Sequence, residues 1–180
     1  DLQGTMGHYL AKHDGESAAV ARAVEEHYLP RQAGGALPKS VPGQVLALAD
    51  RLDSLVGLFI AGEEPTGEKD PDGLRRAALG GIRILVEKKL DLDVATLVEE
   101  AADGYVVGGL GTGDSAKAQC ITFILERYRS LYVALGFAQD EISAVLEAGA
   151  RRPLDFDRRL KAVSRFRHHR DAPSLTAANK

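Results

Sequence analysis

The sequence predicts an all-α protein. Three observations carry that expectation: apolar residues recur at the helical period in nearly every segment, Gly, Pro and Asp stand where helices would begin and end, and no useful stretch alternates apolar and polar residues as a half-buried strand does. Ala18, Val20, Ala21, Val24 and Tyr28 share one side of a helix over about 16–28, which Pro30 ends. Pro38 and Pro42 flank the entry to a long helix. Its Val45, Leu46, Leu48, Ala49, Leu52, Leu55, Val56 and Phe59 form a wide apolar face, expected to be buried on most sides. Residues 62–67 read as a loop by their Gly and Pro content. Asp70 before Pro71 reads as an N-cap and a first helical residue, opening a helix through Leu74, Ala77, Ala78, Ile82 and Leu85. A short helix is predicted over 94–102. The glycines at 104, 108, 109, 111 and 113 then mark a linker. Ile121, Phe123, Ile124, Tyr128, Leu131, Tyr132 and Leu135 give a further helix stopped by Gly136. Helices over 140–148 and 155–167 follow, with another start at Pro173. The linker predicts separate cores on its two sides.

Composition narrows the function. The chain has 180 residues with a single cysteine, Cys120, so no disulfide framework is possible and a reducing compartment, the cytoplasm, is expected. No apolar run approaches the roughly 20 residues of a membrane helix, and the first residues lack the basic and apolar regions of a signal peptide. The chain begins without Met and in mid-pattern, so a piece of a longer polypeptide is expected. The net charge of −3 conceals an asymmetry: residues 151–180 carry +6 and the remainder −9. An acidic body with a basic end predicts a polyanion met at one face.

Two constellations invite a catalytic reading. Gly109-Leu110-Gly111-Thr112-Gly113 lacks both the Lys-Ser/Thr of a phosphate-binding P-loop and the preceding strand of a dinucleotide loop, so it reads as flexible linker. His13 and Asp14, His27, and Asp50 and Asp53 supply nitrogen and oxygen donors of the kind a hard divalent metal takes. Glu26-His27-Tyr28-Leu29-Pro30-Arg31 and Ala47-Leu48-Ala49-Asp50-Arg51-Leu52-Asp53-Ser54-Leu55 resemble segments of the HD-GYP group of histidine–aspartate phosphohydrolases. The defining His-Asp pair would lie before Asp1, and Glu26 and Leu29 replace a histidine and a glutamate of the His-His-Glu stretch. His13, Asp14, His27 and Asp50 are therefore vestigial candidates, with no metal expected.

A second resemblance covers nearly the whole chain and is weakest across the glycine segment. The stretch from Gly4-Thr5-Met6-Gly7-His8-Tyr9 to Gly15-Glu16, then Leu48-Ala49-Asp50-Arg51-Leu52-Asp53-Ser54-Leu55-Val56-Gly57, resembles the bacterial glycyl-tRNA synthetase β-subunit family. Most specific is Pro65-Thr66-Gly67-Glu68-Lys69-Asp70-Pro71-Asp72-Gly73-Leu74-Arg75-Arg76-Ala77-Ala78-Leu79-Gly80, where the family more often has Phe-Ala or Tyr-Ala at Asp72-Gly73. Arg152-Pro153-Leu154-Asp155-Phe156-Asp157-Arg158-Arg159-Leu160-Lys161 through Arg167, and Ala177-Ala178-Asn179-Lys180, are similar to the family's approach into its anticodon-binding domain. The resemblance implies that 1–104 is the later part of a degenerate HD-like helical domain. It makes 105–114 a Gly-rich linker and 115–180 the start of a helical, DALR-like anticodon-binding domain. It further implies tRNA and an α subunit as partners, with no membrane and no DNA. The aminoacylation site, with ATP and Mg, would sit on the α subunit, so this piece binds no cofactor and carries no catalytic residue. A metal-dependent HD-type phosphohydrolase and a helical protein-interaction module are the alternatives.

Arginine's planar fork suits phosphate, and RNA contact relies heavily on phosphates and 2′-hydroxyls. Arg75 and Arg76 at the start of one helix, and Arg158, Arg159, Arg165 and Arg167 opposite the apolar stripe of Phe156, Leu160, Val163 and Phe166, are the expected tRNA contacts. Lys88 and Lys89 suit a helix C-terminus without any RNA. Tyr128 and Tyr132, interleaved with Arg127 and Arg129, could stack on bases, but aromatics at helical spacing belong more often to a core.

Overall fold

The computed structural model describes residues 2–65, 70–107 and 114–172. These residues form eight helices and no strand: α1 (Gln3–His13), α2 (Ala18–Glu26), α3 (Val41–Ile60), α4 (Leu74–Glu87), α5 (Val94–Val107), α6 (Asp114–Ala134), α7 (Gln139–Glu147) and α8 (Pro153–Arg167). The fold is all-α, and among the described residues no helix is long and apolar enough to cross a membrane. α3 is the hub, touching α2, α4, α5 and α6.

Local chemistry explains most boundaries. Ser17 Oγ accepts from the Val20 N–H at 3.3 Å and starts α2, and Pro153 occupies the first turn of α8. Gly136 follows α6 at φ +91°, a left-handed stop that glycine adopts without strain. Asp70 does cap α4, but from further back than its spacing to Pro71 suggests. The Asp70 carboxylate accepts from the N–H groups of Leu74 at 2.7 Å and Arg75 at 3.1 Å. Pro71, Asp72 and Gly73 form the turn between, with Gly73 at φ +71°. The sequence pattern did not signal α1, because its contact with α2 is made by glycines. A Cβ on Gly4 would stand 2.8 Å from the Glu25 carbonyl oxygen, and one on Gly7 2.7 Å from Val24 Cγ1. Close backbone approach puts glycine rather than an apolar stripe on the packed side of α1, while Met6, Tyr9 and Leu10 stay exposed.

Three expectations need correction. α3 is buried along Ala47, Leu48, Leu55, Val56 and Phe59, but Val45 and Leu46 on its first turns are exposed, so its wide apolar face is only partly covered. α5 runs on through Gly104 to Val107, and the Tyr105 hydroxyl donates to the Asp53 carbonyl at 3.0 Å. The glycine segment at 108–113 and the start at Pro173 lie outside the described residues. The expected separate cores are one: Leu55, Val56, Phe59, Leu74, Ala78 and Ile82 belong to the same buried cluster as Ile124, Tyr128, Tyr132, Ile142, Phe156 and Leu160. Tyr128 stacks on Phe156 at 4.5 Å, which places both tyrosines in the core rather than on a base-stacking surface. Cys120 is fully buried, and burial pushes its thiol up to about 12. It therefore packs as a small hydrophobe.

The α2–α3 junction is held by one buried carboxylate. Glu26 Oε2 accepts from the Ser40 N–H at 2.8 Å and the Ser40 hydroxyl at 2.6 Å, while Ser40 Oγ accepts from the Gly43 N–H at 3.1 Å and caps α3. Burial pushes the Glu26 carboxyl up, but the hydrogen bonds from Ser40 and Lys39 outweigh it and leave the pKa below its usual 4.5. A depressed carboxylate stabilises the fold above its unfolded pKa and loses that stabilisation as pH falls through the folded value. Ser40→Ala should cost about 1–2 kcal/mol at pH 7. The gap between wild type and variant in denaturation midpoint should narrow as pH falls through the depressed pKa of Glu26, where its carboxylate protonates. A pH-independent gap would mean that only the cap matters.

Candidate functional site

An open cleft of about 560 Å³ lies between the end of α2, the middle of α3 and the start of α4. Its wall includes His27, Arg31, Asp50, Arg51, Asp72 and Arg76. Gly73 allows the Arg76 side chain to fold back across the turn, since a Cβ there would stand 2.8 Å from Arg76 Nη2. Asp50 and Ser54 lie one turn apart on α3, and the Ser54 hydroxyl donates to the Asp50 carbonyl at 2.9 Å.

Arg51 is the structural centre of this cleft. Only 8 % exposed, it donates through Nη1 to the carbonyls of His27 at 2.9 Å and Ala47 at 2.8 Å, and through Nη2 to that of Pro30 at 3.4 Å. Burial pushes its pKa down, offset in part by the Asp50 charge. A guanidinium stays ionised in proteins. The cleft therefore has a fixed positive charge in its wall, held by carbonyl dipoles.

The four vestigial metal candidates are not brought together. His27 and Asp50 share the cleft, whereas His13 ends α1 and Asp14 follows it, both exposed and outside the lining. His27 Nδ1 lies 2.7 Å from the Val24 carbonyl and must donate to it, which leaves only Nε2 for any ligand. Among the described residues no group of three or more His, Cys, Asp or Glu is arranged to hold a metal ion. The residues present do not fit a catalytic metal centre.

The six arginines singled out from the sequence fall into different environments. Arg76 is exposed on the cleft rim, while Arg75 beside it is half-buried. On α8, Arg159 Nε reaches Asp155 at 2.7 Å, and Arg167 Nη1 reaches Asp140 at 2.8 Å and Glu141 at 3.7 Å. Arg158 and Arg165 are exposed with no ion-pair partner among the described residues. Asp53 contributes its backbone carbonyl to Tyr105 rather than a ligand to the cleft. Arg127 lies 4.8 Å from the centroid of Phe123 and Arg129 bonds Ser143, so both serve helix packing.

Sequence reasoning missed Arg31 and Arg51 as members of the site. Arg51 carried a readable signal. It stands four residues after Ala47 and four before Leu55, on the buried side of α3, where a charge must find internal partners. Arg31 lies after the end of α2 in an irregular segment, and no periodicity marks it.

Residues 1–147 match a family model described as glycyl-tRNA synthetase beta subunit. Over its entire length the chain is 49 % identical to the glycine--tRNA ligase beta subunit of Aeromonas hydrophila and 51 % identical to that of Pectobacterium atrosepticum. The chain spans about a quarter of the length of these curated relatives, 26 % in each case. The matched range reaches from α1 through the cleft-forming helices to the end of α7, well over half of the chain, and the chain belongs to the glycyl-tRNA synthetase beta subunit family.

Proposed function

We propose that this chain is a tRNA-handling and scaffold portion of the β subunit of a glycine–tRNA ligase. In this reading the cytoplasmic α/β enzyme attaches glycine to its tRNA using ATP. The α subunit holds the aminoacylation site with ATP and Mg, and this portion supplies no catalytic residue. The HD-like part up to residue 104 and the start of the anticodon-binding domain from residue 115 act as docked units, joined through the core that both line. The observation that supports this reading best is identity of about half the residues over all 180 positions to proteins named for that ligase. Exposed arginines on two separate helices, Arg76 on α4 and Arg158 and Arg165 on α8, are consistent with an RNA partner.

The metal-hydrolase alternative is disfavoured by geometry. With His13 and Asp14 outside the cleft and His27 Nδ1 committed to Val24, the donor set that such chemistry requires does not assemble.

Among the α8 arginines, availability sets the expected contribution. Arg158 and Arg165 meet phosphate directly, whereas Arg159 and Arg167 must first leave carboxylates. Exposed ion pairs are worth only about 0–1 kcal/mol, so the second pair contributes less without being silent. In the intact α/β enzyme, Arg158→Gln with Arg165→Gln should weaken tRNA binding and lower the slope of log K against log salt by roughly 0.7–0.9 for each phosphate no longer neutralised. ATP–pyrophosphate exchange with glycine should stay unchanged. Loss of exchange in a folded variant would contradict the placement of activation on the other subunit, and unchanged tRNA affinity would remove α8 from the interface.

A further inference from the structure

The arginine-lined cleft does not stand alone. A second, smaller recess of about 120 Å³ adjoins it between the 30–34 segment, α4 and α6. The two share Pro30, Arg31 and Arg76 in their walls, and Arg83, two turns along α4 from Arg76, lines the smaller one. Arg31 and Arg76 thus stand on the divide between a wide polar cleft and a narrower, mostly apolar recess. Arg83 is already engaged, bonding Glu87 at 2.7 Å and the Gly35 carbonyl at 3.1 Å, so it shapes the recess and holds the 30–35 segment against α4.

Three features distinguish this from an ordinary charged surface. The Arg51 guanidinium is buried in the larger cleft with its hydrogen bonds to the backbone carbonyls of His27, Ala47 and Pro30, and the neighbouring Asp50 carboxylate offsets only part of its charge. It also bonds the carbonyls of His27 and Pro30, the residues leading into Arg31, and so fixes where Arg31 starts. Finally, Asp50 and Asp72 line the larger cleft alongside the arginines. Two carboxylates oppose a second anion there, but they accept from ribose hydroxyls and from the exocyclic amines of bases. Cations on a ridge, hydrogen-bond acceptors on one side and an apolar recess on the other match one phosphate flanked by two nucleosides. They do not match an isolated phosphate ion.

We propose that the two recesses form one groove for a strand of RNA, in which Arg31 and Arg76 hold a backbone phosphate, the adjoining nucleosides occupy the recesses, and Arg51 is a positioning residue for Arg31. The inference rests on the reading of this chain as a tRNA-handling portion. It adds to that reading a defined groove, a residue outside the arginine pairs already considered, and a division of labour between contact and support.

The test uses the full-length β subunit in complex with its α subunit, with glycine-accepting tRNA and AMP as the two probes. The Arg31→Gln/Arg76→Gln pair should raise the tRNA Kd at least tenfold at moderate salt and lower the log–log salt slope by roughly 0.7–0.9 for the phosphate released. The Arg31→Lys/Arg76→Lys pair keeps the charge but loses the planar fork. It should retain the wild-type slope with an intermediate Kd, which also guards against a folding defect in the Gln pair. Hydrogen exchange should show tRNA protecting residues 27–35 and 70–77, and AMP leaving them unprotected. The groove is wrong if the Gln pair binds tRNA with wild-type affinity and slope while Arg158→Gln/Arg165→Gln binds weakly, and in that case the tRNA reading still stands. If AMP alone protects 27–35 and competes with tRNA there, the site is a mononucleotide pocket and the strand proposal fails. Indifference of tRNA binding to both arginine pairs would overturn the groove and the tRNA reading together.

Discussion

Phe156→Ala should destabilise the chain by about 3–5 kcal/mol and lower the midpoint of a single cooperative transition. Phe156 is fully buried on α8. Its ring lies parallel to Tyr128 at 4.5 Å and tilted against Tyr132 at 5.1 Å, so truncation removes two aromatic neighbours and opens a cavity the size of a ring. The Tyr132 hydroxyl donates to Asp157 Oδ1 at 3.1 Å, and Lys161 bonds the other oxygen of that buried carboxylate at 2.8 Å. Loss of the neighbouring ring therefore also loosens a largely buried polar network. The reach of the effect is the informative part. Phe156 belongs to the same cluster as Leu55 and Phe59 on α3 and Ile82 on α4. Pairs between Arg151 and Asp93 and between Arg152 and Asp91 tie the start of α8 to the turn before α5. Hydrogen exchange in α3 should accelerate together with that in α6 and α8. A biphasic unfolding curve, with α3 protection untouched, would restore the two-core arrangement that the glycine segment suggests.

Arg51→Leu should cost about 2–3 kcal/mol, and Arg51→Lys should recover little of it. Opposing effects decide the size. Removing a buried cation relieves its desolvation penalty, which is why apolar replacements of buried charges are sometimes neutral. Here, however, the guanidinium is a hydrogen-bond donor to the carbonyls of His27 and Pro30, which leucine cannot be. Ala47, four residues earlier on α3, keeps its helical hydrogen bond and loses little. Leucine fills the volume but leaves two part-buried acceptors unpaired, at about 1–3 kcal/mol each when fully buried. Lysine supplies a compact point charge without the two-nitrogen fork by which Arg51 reaches three carbonyls. The measurement is the denaturation midpoint together with exchange at 27–31, which should open before the rest of the fold. Wild-type stability in the leucine variant would show that Arg51's own desolvation outweighs its bonds.

Much of this protein was legible in one dimension because helix formation is local. From α2 onward each helix was readable from helical periodicity, and several ends from Pro30, Asp70 and Gly136, whereas the start of α8 at Pro153 lies two residues before the expected one. The Pro65-to-Gly80 stretch carried the family. What only the tertiary structure decided depends on which surfaces meet. In α1 Gly4 and Gly7 make the contact with α2 by backbone approach, so its packed side carries no hydrophobic period, while Met6, Tyr9 and Leu10 lie exposed. Val45 and Leu46 are exposed while Leu48 is buried, since neighbouring helices cover only part of α3. Arg159 and Arg167 look alike in sequence to Arg158 and Arg165, but Asp155 one turn earlier on α8 and Asp140 on α7 engage the first two. Arg31 and Arg76, 45 positions apart, share a ridge only because Arg51 draws the end of α2 onto α3 beside the start of α4. Periodicity records what one helix needs to bury. Where a charge ends up is set by docking between helices, through contacts that no local window of sequence contains.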